Sequence, residues 1–176
     1  MFKVNDYIVY KNDVCRIKDI KEKQYQGNDC YVLESMLDDS LTIDVPVDNR
    51  YDNIRSLISE NEVKELIKQI PLIPVIDCHE KQLENQYRQL LNSGDLVDLI
   101  KIIKTTYLRN KERIDNNKKI GDKDNQYLEK AEKILYNEFS IVLNMTFDDT
   151  KNYVVKEVIR LEGQDWNILF LFVFFR

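Results

Sequence analysis

The feature that most constrains the fold is a change in hydrophobic periodicity near residues 49–55. Before this point, short apolar runs alternate with polar residues and are separated by turn-forming residues, which is typical of strands with one buried face. After it, apolar residues recur three and four positions apart, as they do in amphipathic helices. The sequence therefore predicts an α+β chain in which a small β-domain precedes an all-α domain.

The N-terminal residues 1–55 predict a small β-barrel of SH3 or Tudor type. Turn residues separate the strands at 11–13, 26–29 and 38–40, and Pro46 stops the fourth strand. Short strands at such regular spacing favour a small barrel. The predicted strands are Tyr7–Tyr10, Val14–Ile20, Tyr31–Ser35 and Leu41–Val45, with a fifth near Ile54–Arg55.

Residues 56–159 predict a helical bundle with clear helix boundaries. Ser59 and Glu62 form a capping-box start, and Pro71 and Pro74 end the first helix. Gly94 suits a left-handed stop for the second helix. The other predicted boundaries are Asp95 as the cap of the third helix and Thr146 with Asp149 as the start of the last one.

The faces of the predicted helices follow from the same spacing. The third helix has an apolar inner face that includes Leu99, Ile100 and Tyr107. Its outer face is predicted to carry Lys101, Lys104 and Arg109. The fourth helix has an inner face of Leu128, Ala131, Leu135, Phe139 and Leu143.

The C-terminal residues 160–176 depart from the helical pattern before them. Ile168–Phe175 is entirely apolar but falls well short of the roughly 20 residues that a membrane-spanning helix needs. We therefore expect no membrane association. Two interpretations stay open for this tail: a non-native segment, or a native hydrophobic docking segment.

Enzymatic and metal-binding patterns are weak. The four glycines form no phosphate-binding motif, and His79 is the single histidine. The three cysteines, Cys15, Cys30 and Cys78, are widely spaced, which favours reduced thiols in a cytoplasmic protein. A zinc site from these cysteines and His79, or an enzyme that uses Cys78 and His79, is a minor alternative. We expect no catalysis, no metal and no cofactor.

The charge pattern bears on nucleic-acid binding. A formal net charge of −5 argues against general coating by nucleic acid, yet lysines and arginines outnumber acidic residues between residues 101 and 133. Such an excess is compatible with a solvated helix face and with a stripe that contacts phosphates. The tyrosines Tyr87, Tyr107 and Tyr127 lie on apolar faces, where we expect them to pack in the core.

Taken together, several segments resemble the CarD/CdnL family of bacterial transcription regulators, whose N-terminal module is shared with the transcription-repair coupling factor. The order and spacing of the segments carry the resemblance, which spans residues 1–158. The matching segments are Phe2–Tyr10, Val14–Ile17, Tyr31–Leu33, Val45–Asn49, Ile54–Arg55, Leu90–Asp95 and Ala131–Phe139.

The resemblance implies a Tudor-like barrel that binds the lobe of the RNA polymerase β subunit, and a helical domain that reaches promoter DNA and stabilises the open complex. An exposed edge strand can add to a partner's sheet through main-chain hydrogen bonds, and the fourth strand is the predicted edge. The predicted polymerase-binding residues are Lys23, Leu41, Thr42, Ile43, Asp44, Val45 and Pro46.

The sequence departs from the family pattern at residues that matter for both contacts. The family tryptophan that wedges into the minor groove falls near Glu80, whereas the sole tryptophan here is Trp166. A family arginine of the fourth strand falls on Asp44, while a basic position after the second strand is kept as Lys23. We therefore expect weak DNA contact without sequence specificity. The predicted DNA-binding residues are Lys81, Arg88, Lys118, Lys119 and Lys123.

A competing interpretation keeps the same barrel but assigns no DNA contact to the helical domain. In it, the chain is an adaptor that binds polymerase or another sheet edge, and the helical domain serves dimerisation or another protein contact. Long helices and a hinge near Asn49 are compatible with a domain-swapped dimer.

Overall fold

The fold comprises two compact units, which we describe separately. The structure is a computed structural model, and it describes residues 1–25, 27–38, 40–48 and 53–162. The first unit is Met1–Ile58 and the second begins at Ser59. The predicted boundary was residue 55, so the first unit extends slightly further than the change in periodicity indicated.

The first unit is a five-stranded antiparallel sheet. The strands are ordered β4-β3-β2-β1-β5, so β1 pairs with both β2 and β5. The predicted α+β class is confirmed, and a strand lies at each of the five predicted positions. The bounds differ: β2 extends to Tyr25, β3 begins at Asn28, and β4 begins and ends one residue later than predicted. The strands are β1 (Tyr7–Tyr10), β2 (Asp13–Tyr25), β3 (Asn28–Ser35), β4 (Thr42–Pro46) and β5 (Ile54–Ser56).

One side of this sheet builds the core of the first unit. Successive side chains of a strand point to opposite faces, and Tyr31 and Leu33 of β3 both point into this core; Tyr31 is 2% exposed. The Tyr31 hydroxyl accepts a hydrogen bond from the Phe2 backbone N–H at 3.1 Å, which fixes the N-terminus on the sheet. The core residues are Ile8, Cys15, Ile17, Tyr31, Leu33, Val45 and Ile54.

The β2–β3 pairing contains two irregularities that distort β2. The register shifts between Ile17 and Asp19 and again between Lys21 and Tyr25. Lys23, inside the second shift, has a positive φ of 51°, which is uncommon for a residue with a Cβ atom. Its backbone N–H donates to Asp29 Oδ1 at 3.0 Å and thereby stabilises this conformation.

The second unit is helical. Among the described residues it contains five α-helices and one short 3₁₀-helix. They are α1 (Glu60–Gln69), the 3₁₀-helix (Ile70–Leu72), α2 (Glu80–Asn92), α3 (Leu96–Asp115), α4 (Asp122–Leu143) and α5 (Phe147–Glu162).

The predicted helix boundaries are confirmed by their hydrogen bonds. Ser59 and Glu62 form a reciprocal capping box, and the Asp95 carboxylate accepts from the Val97 N–H at 2.8 Å. Gly94 follows α2 with a φ of 75°, a conformation that glycine adopts without strain. The Thr146 hydroxyl accepts from the Asp149 N–H at 3.1 Å and so begins α5.

The core of the second unit lies mainly between α3 and α4. As predicted, Tyr87 and Tyr107 are buried, each with 1% exposure. Val155 of α5 packs against Tyr107, and this contact brings the last helix onto α3. The predicted inner face of α4 is buried at Leu128, Ala131, Leu135 and Phe139, whereas Leu143 is half-buried.

Two predictions about the second unit were wrong. Lys104 is half-buried, and its ammonium group donates to the carbonyls of Ile70, Pro71 and Ile73 at 3.1, 2.8 and 3.0 Å. Arg109 is also half-buried, so neither side chain lies on the exposed outer face that was predicted for the third helix.

The predicted end of the helical pattern at Arg160 differs from the structure, since α5 continues to Glu162. The rest of the predicted tail, residues 163–176, lies outside the described residues.

The Lys104 ammonium satisfies carbonyls of the 3₁₀-helix that follows α1 and of the residue after it, where few backbone N–H groups are within reach. Replacing Lys104 with Met keeps the aliphatic stem but removes three charge-assisted hydrogen bonds. We expect Lys104→Met to lower the free energy of unfolding of the helical unit by about 2 kcal/mol, as measured by urea denaturation.

Lys68→Met is the matched control, because Lys68 forms only an exposed ion pair with Glu65. It should change the free energy of unfolding by less than about 0.5 kcal/mol. Equal effects of the two substitutions would contradict a structural role for the Lys104 hydrogen bonds.

Candidate functional site

The fourth strand lies at the edge of the sheet, as predicted. β4 pairs with β3 on one side only, from the Glu34–Thr42 pair to the Cys30–Pro46 pair. An edge strand presents main-chain N–H and C=O groups that can pair with another chain. Thr42 and Asp44 are exposed, Ile43 is half-buried and Val45 is buried. Leu41, predicted within this strand, precedes it and is 44% exposed.

Ion pairs cover the sheet near this edge. Lys21 of β2 reaches over β3 to Asp44 of β4, with 2.9 Å between Nζ and Oδ2. Arg16 and Lys18 both contact Glu34, at 2.6 and 3.4 Å. The hydrogen bonds from Arg16 and then Lys18 lower the pKa of Glu34. Asp44 is therefore paired within its own sheet.

The predicted polymerase-binding residues do not all lie together. Leu41 to Pro46 line the edge, but Lys23 belongs to β2, which β3 separates from β4. Lys23 is exposed near the β2–β3 turn. A partner that contacts Lys23 and β4 would have to cover this end of the sheet.

In the helical unit, a buried carboxylate organises the candidate DNA-binding region. Asp124 is 5% exposed and accepts hydrogen bonds from the Tyr87 hydroxyl at 3.0 Å and from Arg109 Nε at 3.1 Å. Arg109 also donates to Glu80 at 2.7 Å. These contacts connect the first turn of α2 with α3 and the first turn of α4.

The same contacts shift the pKa values of Tyr87 and Glu80. Burial, followed by the charge of Asp124, raises the pKa of Tyr87, so its hydroxyl remains a hydrogen-bond donor. The hydrogen bond from Arg109 lowers the pKa of Glu80. The network therefore keeps both Glu80 and Arg109 charged at neutral pH.

A groove of about 450 Å³ opens beside this network. Leu83 and Tyr87 contribute its apolar part, while Lys81 and Lys123 lie on its polar walls. A smaller hollow shares Glu80, Arg109 and Arg113 with it and reaches Lys118. The fold thus brings three of the five predicted DNA-binding cations, Lys81, Lys118 and Lys123, to one region of the helical unit.

The five predicted cations differ in how they are paired. Lys123 forms an ion pair with Glu84 across the α2–α4 interface, and Arg88 lies 3.5 Å from the same carboxylate. Lys81, Lys118 and Lys119 are exposed and form no ion pair within the described part of the chain. Only these three are available to an anionic partner without the breakage of an ion pair.

Sequence reasoning missed Glu84, Arg109, Arg113 and Asp124. The spacing of Glu84 and Arg88 at i and i+4 could have indicated their contact. No sequence pattern relates Glu84 to Lys123, because the two are 39 residues apart and meet only through helix packing. Glu80 begins α2, and its carboxylate is held by Arg109.

The alternative zinc and enzyme interpretations gain no geometric support. Cys15 and Cys30 are buried in the first unit, and burial raises the pKa of Cys15 to about 12, which makes its thiol unreactive. Cys78 and His79 belong to the second unit. Residues 1–25, 27–38, 40–48 and 53–162 contain no group of three or more potential metal ligands. No helix of these ranges is long and apolar enough to span a membrane.

Comparison with protein families gives two matches. Residues 2–58 match the family model described as the CarD-like/TRCF RID domain. Residues 79–155 match the model described as the CarD C-terminal domain. The two matches together cover most of the chain in the order in which the two units occur. A search of curated proteins found no match.

The Asp124 network predicts a strong dependence of stability on Arg109. Arg109→Met removes the cation beside a buried carboxylate and leaves Asp124 with the Tyr87 hydroxyl alone. We expect a loss of about 3–5 kcal/mol in the free energy of unfolding of the helical unit, measured by urea denaturation.

The control for this prediction is Arg88→Met, which removes an exposed ion pair on α2. This substitution should lower the free energy of unfolding by less than about 1 kcal/mol. If the two substitutions have similar effects, Asp124 does not depend on Arg109 for its compensation.

Proposed function

The chain belongs to the CarD-like family of RNA polymerase-interacting transcription factors, and on this premise we propose that its Tudor-like N-terminal unit binds the polymerase β subunit along β4. The observation that carries the proposal is the position of β4 at the edge of the sheet. A strand of the β lobe would extend this sheet through main-chain hydrogen bonds. The exposed side chain of Leu41 would add apolar contact at the start of the strand.

The charges beside β4 support an altered version of the family contact. Lys21 neutralises Asp44, so a partner strand that approaches the edge meets a paired carboxylate rather than an isolated one. Lys23 is exposed and occupies a position that is basic in the family. We assign Lys23 to an ion pair with an acidic group of the polymerase.

For the helical unit, we propose weak contact with promoter DNA and, through it, an effect on open-complex stability. Lys81, Lys118 and Lys119 supply exposed cations, and Arg88 and Lys123 supply two more when their pairs with Glu84 open. Lysines that contact phosphates confer affinity without sequence specificity. The proposed regulator works in the cytoplasm and carries out no catalytic step.

A specific observation favours the second candidate, an adaptor that binds polymerase without DNA. The position of the family wedge is occupied by Glu80, a carboxylate that Arg109 holds in place. The first residue of α2 is thus a paired carboxylate rather than an aromatic ring, and Lys81 beside it is the one cation among the first three residues of the helix. In this alternative, the helical unit contacts a protein, which includes a second copy of the chain.

The polymerase contact predicts a charge dependence at Lys23. Lys23→Glu should weaken binding to a β-lobe fragment of the polymerase at least about fivefold, since it replaces an attraction with a repulsion. Co-elution in size-exclusion chromatography followed by titration calorimetry measures the change.

Lys3→Glu provides a control with the same change in net charge. Lys3 is exposed and precedes β1, which is separated from β4 by two strands. It should leave the affinity for the β-lobe fragment unchanged. An unaltered affinity for Lys23→Glu would remove Lys23 from the contact, and no co-elution of the wild-type chain would refute polymerase binding.

The DNA contact predicts a specific salt dependence. Three phosphate contacts give a slope of about −2.7 in a plot of log K against log salt concentration, or about a 40-fold loss of affinity between 50 and 200 mM salt. Fluorescence anisotropy with duplex DNA measures this slope. Replacement of Lys81, Lys118 and Lys119 with Gln should reduce binding to near zero.

Lys156→Gln is the matched single control, because Lys156 is exposed on α5 rather than beside the groove. The slope of log K against log salt concentration for this variant should equal that of the wild-type chain. If the wild-type chain binds no duplex DNA even at the lowest salt concentration, the adaptor is the better description.

A further inference from the structure

The Glu84 carboxylate on α2 pairs with two of the five cations that we propose to contact DNA. Its carboxylate accepts a hydrogen bond from Lys123 in the first turn of α4 and lies 3.5 Å from Arg88 one helical turn further along α2. One acidic side chain therefore contacts two basic side chains, and Glu84 and Lys123 both line the groove.

Glu84 and Lys123 each stabilise the charged form of the other. The hydrogen bond from Lys123, and then its charge, lower the pKa of Glu84. The same hydrogen bond raises the pKa of Lys123. Titration near neutrality therefore does not open the pair, and another anion must compete with the Glu84 carboxylate for Lys123.

Exposure makes such a replacement feasible. The side chain of Lys123 is 72% exposed and that of Arg88 is 62% exposed, while Glu84 is 41% exposed. Ion pairs in this environment contribute little net free energy and exchange readily. A DNA phosphate that approaches the groove can bind these cations in place of Glu84.

The neighbouring carboxylate shows that this property is specific to Glu84. Glu80 lies one turn earlier on α2 and also pairs with a cation, Arg109. Arg109, however, is only 28% exposed and is held by the buried Asp124 as well. Loss of Glu80 would not release Arg109 to an external phosphate, because Asp124 would still bind it.

We propose that Glu84 is a competitor of DNA phosphate for Lys123 and Arg88, and that it sets the affinity of the helical unit for DNA. The inference rests on the proposed DNA contact and specifies how that contact is limited. Duplex DNA gains Lys123 and Arg88 only by displacing the Glu84 carboxylate, so the wild-type chain binds more weakly than its count of basic residues predicts.

The test uses the full chain, duplex DNA and fluorescence anisotropy over a salt series. Glu84→Gln keeps the size of the side chain and removes its charge. We expect two- to tenfold tighter binding, which corresponds to the removal of one or two exposed ion pairs. Circular dichroism should show unchanged helix content, because Glu84 makes no buried contact.

Glu60→Gln is the matched control. It produces the same change in net charge and also removes a glutamate that pairs with a lysine, Lys64, within an exposed helix surface. This pair lies on α1, which packs against α5. Glu60→Gln should leave DNA affinity within twofold of the wild-type value.

A double-mutant cycle separates competition from general repulsion between Glu84 and DNA. Lys123→Gln should weaken DNA binding several-fold more in the Glu84→Gln background than in the wild-type background, since only in the former is Lys123 released from its partner. Equal losses in the two backgrounds would overturn the inference.

The remaining outcomes distinguish this inference from the proposed function. If the wild-type chain binds DNA and Glu84→Gln binds no tighter than Glu60→Gln, the inference fails while the DNA contact stands. If only Glu84→Gln binds and the further substitution Lys123→Gln abolishes that binding, competition by Glu84 is supported; binding that survives Lys123→Gln would overturn the inference. If neither binds at the lowest salt concentration, the DNA contact itself is refuted, and the inference with it.

Discussion

The buried carboxylate of Asp124 is the group on which the helical site depends. A charge that is removed from water must be compensated, and Arg109 and Tyr87 provide this compensation from α3 and α2. Because Lys123 immediately precedes Asp124 at the start of α4, the same interaction places Lys123 opposite Glu84. The arrangement of exposed charges around the groove therefore follows from an interaction beneath the surface.

The cations of the helical unit fall into three physical groups. Lys104 and Arg109 are half-buried and bind carbonyl or carboxylate groups, so they stabilise the fold. Arg88 and Lys123 form exposed pairs that another anion can replace. A third group, Lys81, Lys118 and Lys119, is exposed without ion pairs among the described residues. Counting basic residues therefore overestimates what an acidic chain can offer to DNA.

The first unit relies on a different principle. Its core is closed by alternating side chains, and its capacity for interaction comes from the unsatisfied main chain of β4. The pair of Lys21 and Asp44 adjusts the charge at this edge without changing the main-chain groups. The main-chain groups of this edge are therefore available to a partner strand whatever the charge of Asp44.

Local sequence was sufficient to predict the succession of strands and helices along the chain, the capping box of Ser59 and Glu62, and the helix end at Gly94. These features depend on residues close together in the chain, so periodicity and turn chemistry indicate them. The burial of Arg109 and the pairing of Glu84 with Lys123 became visible only in the folded chain. Those contacts join segments far apart in sequence, and their geometry is set by how the helices pack rather than by any local pattern.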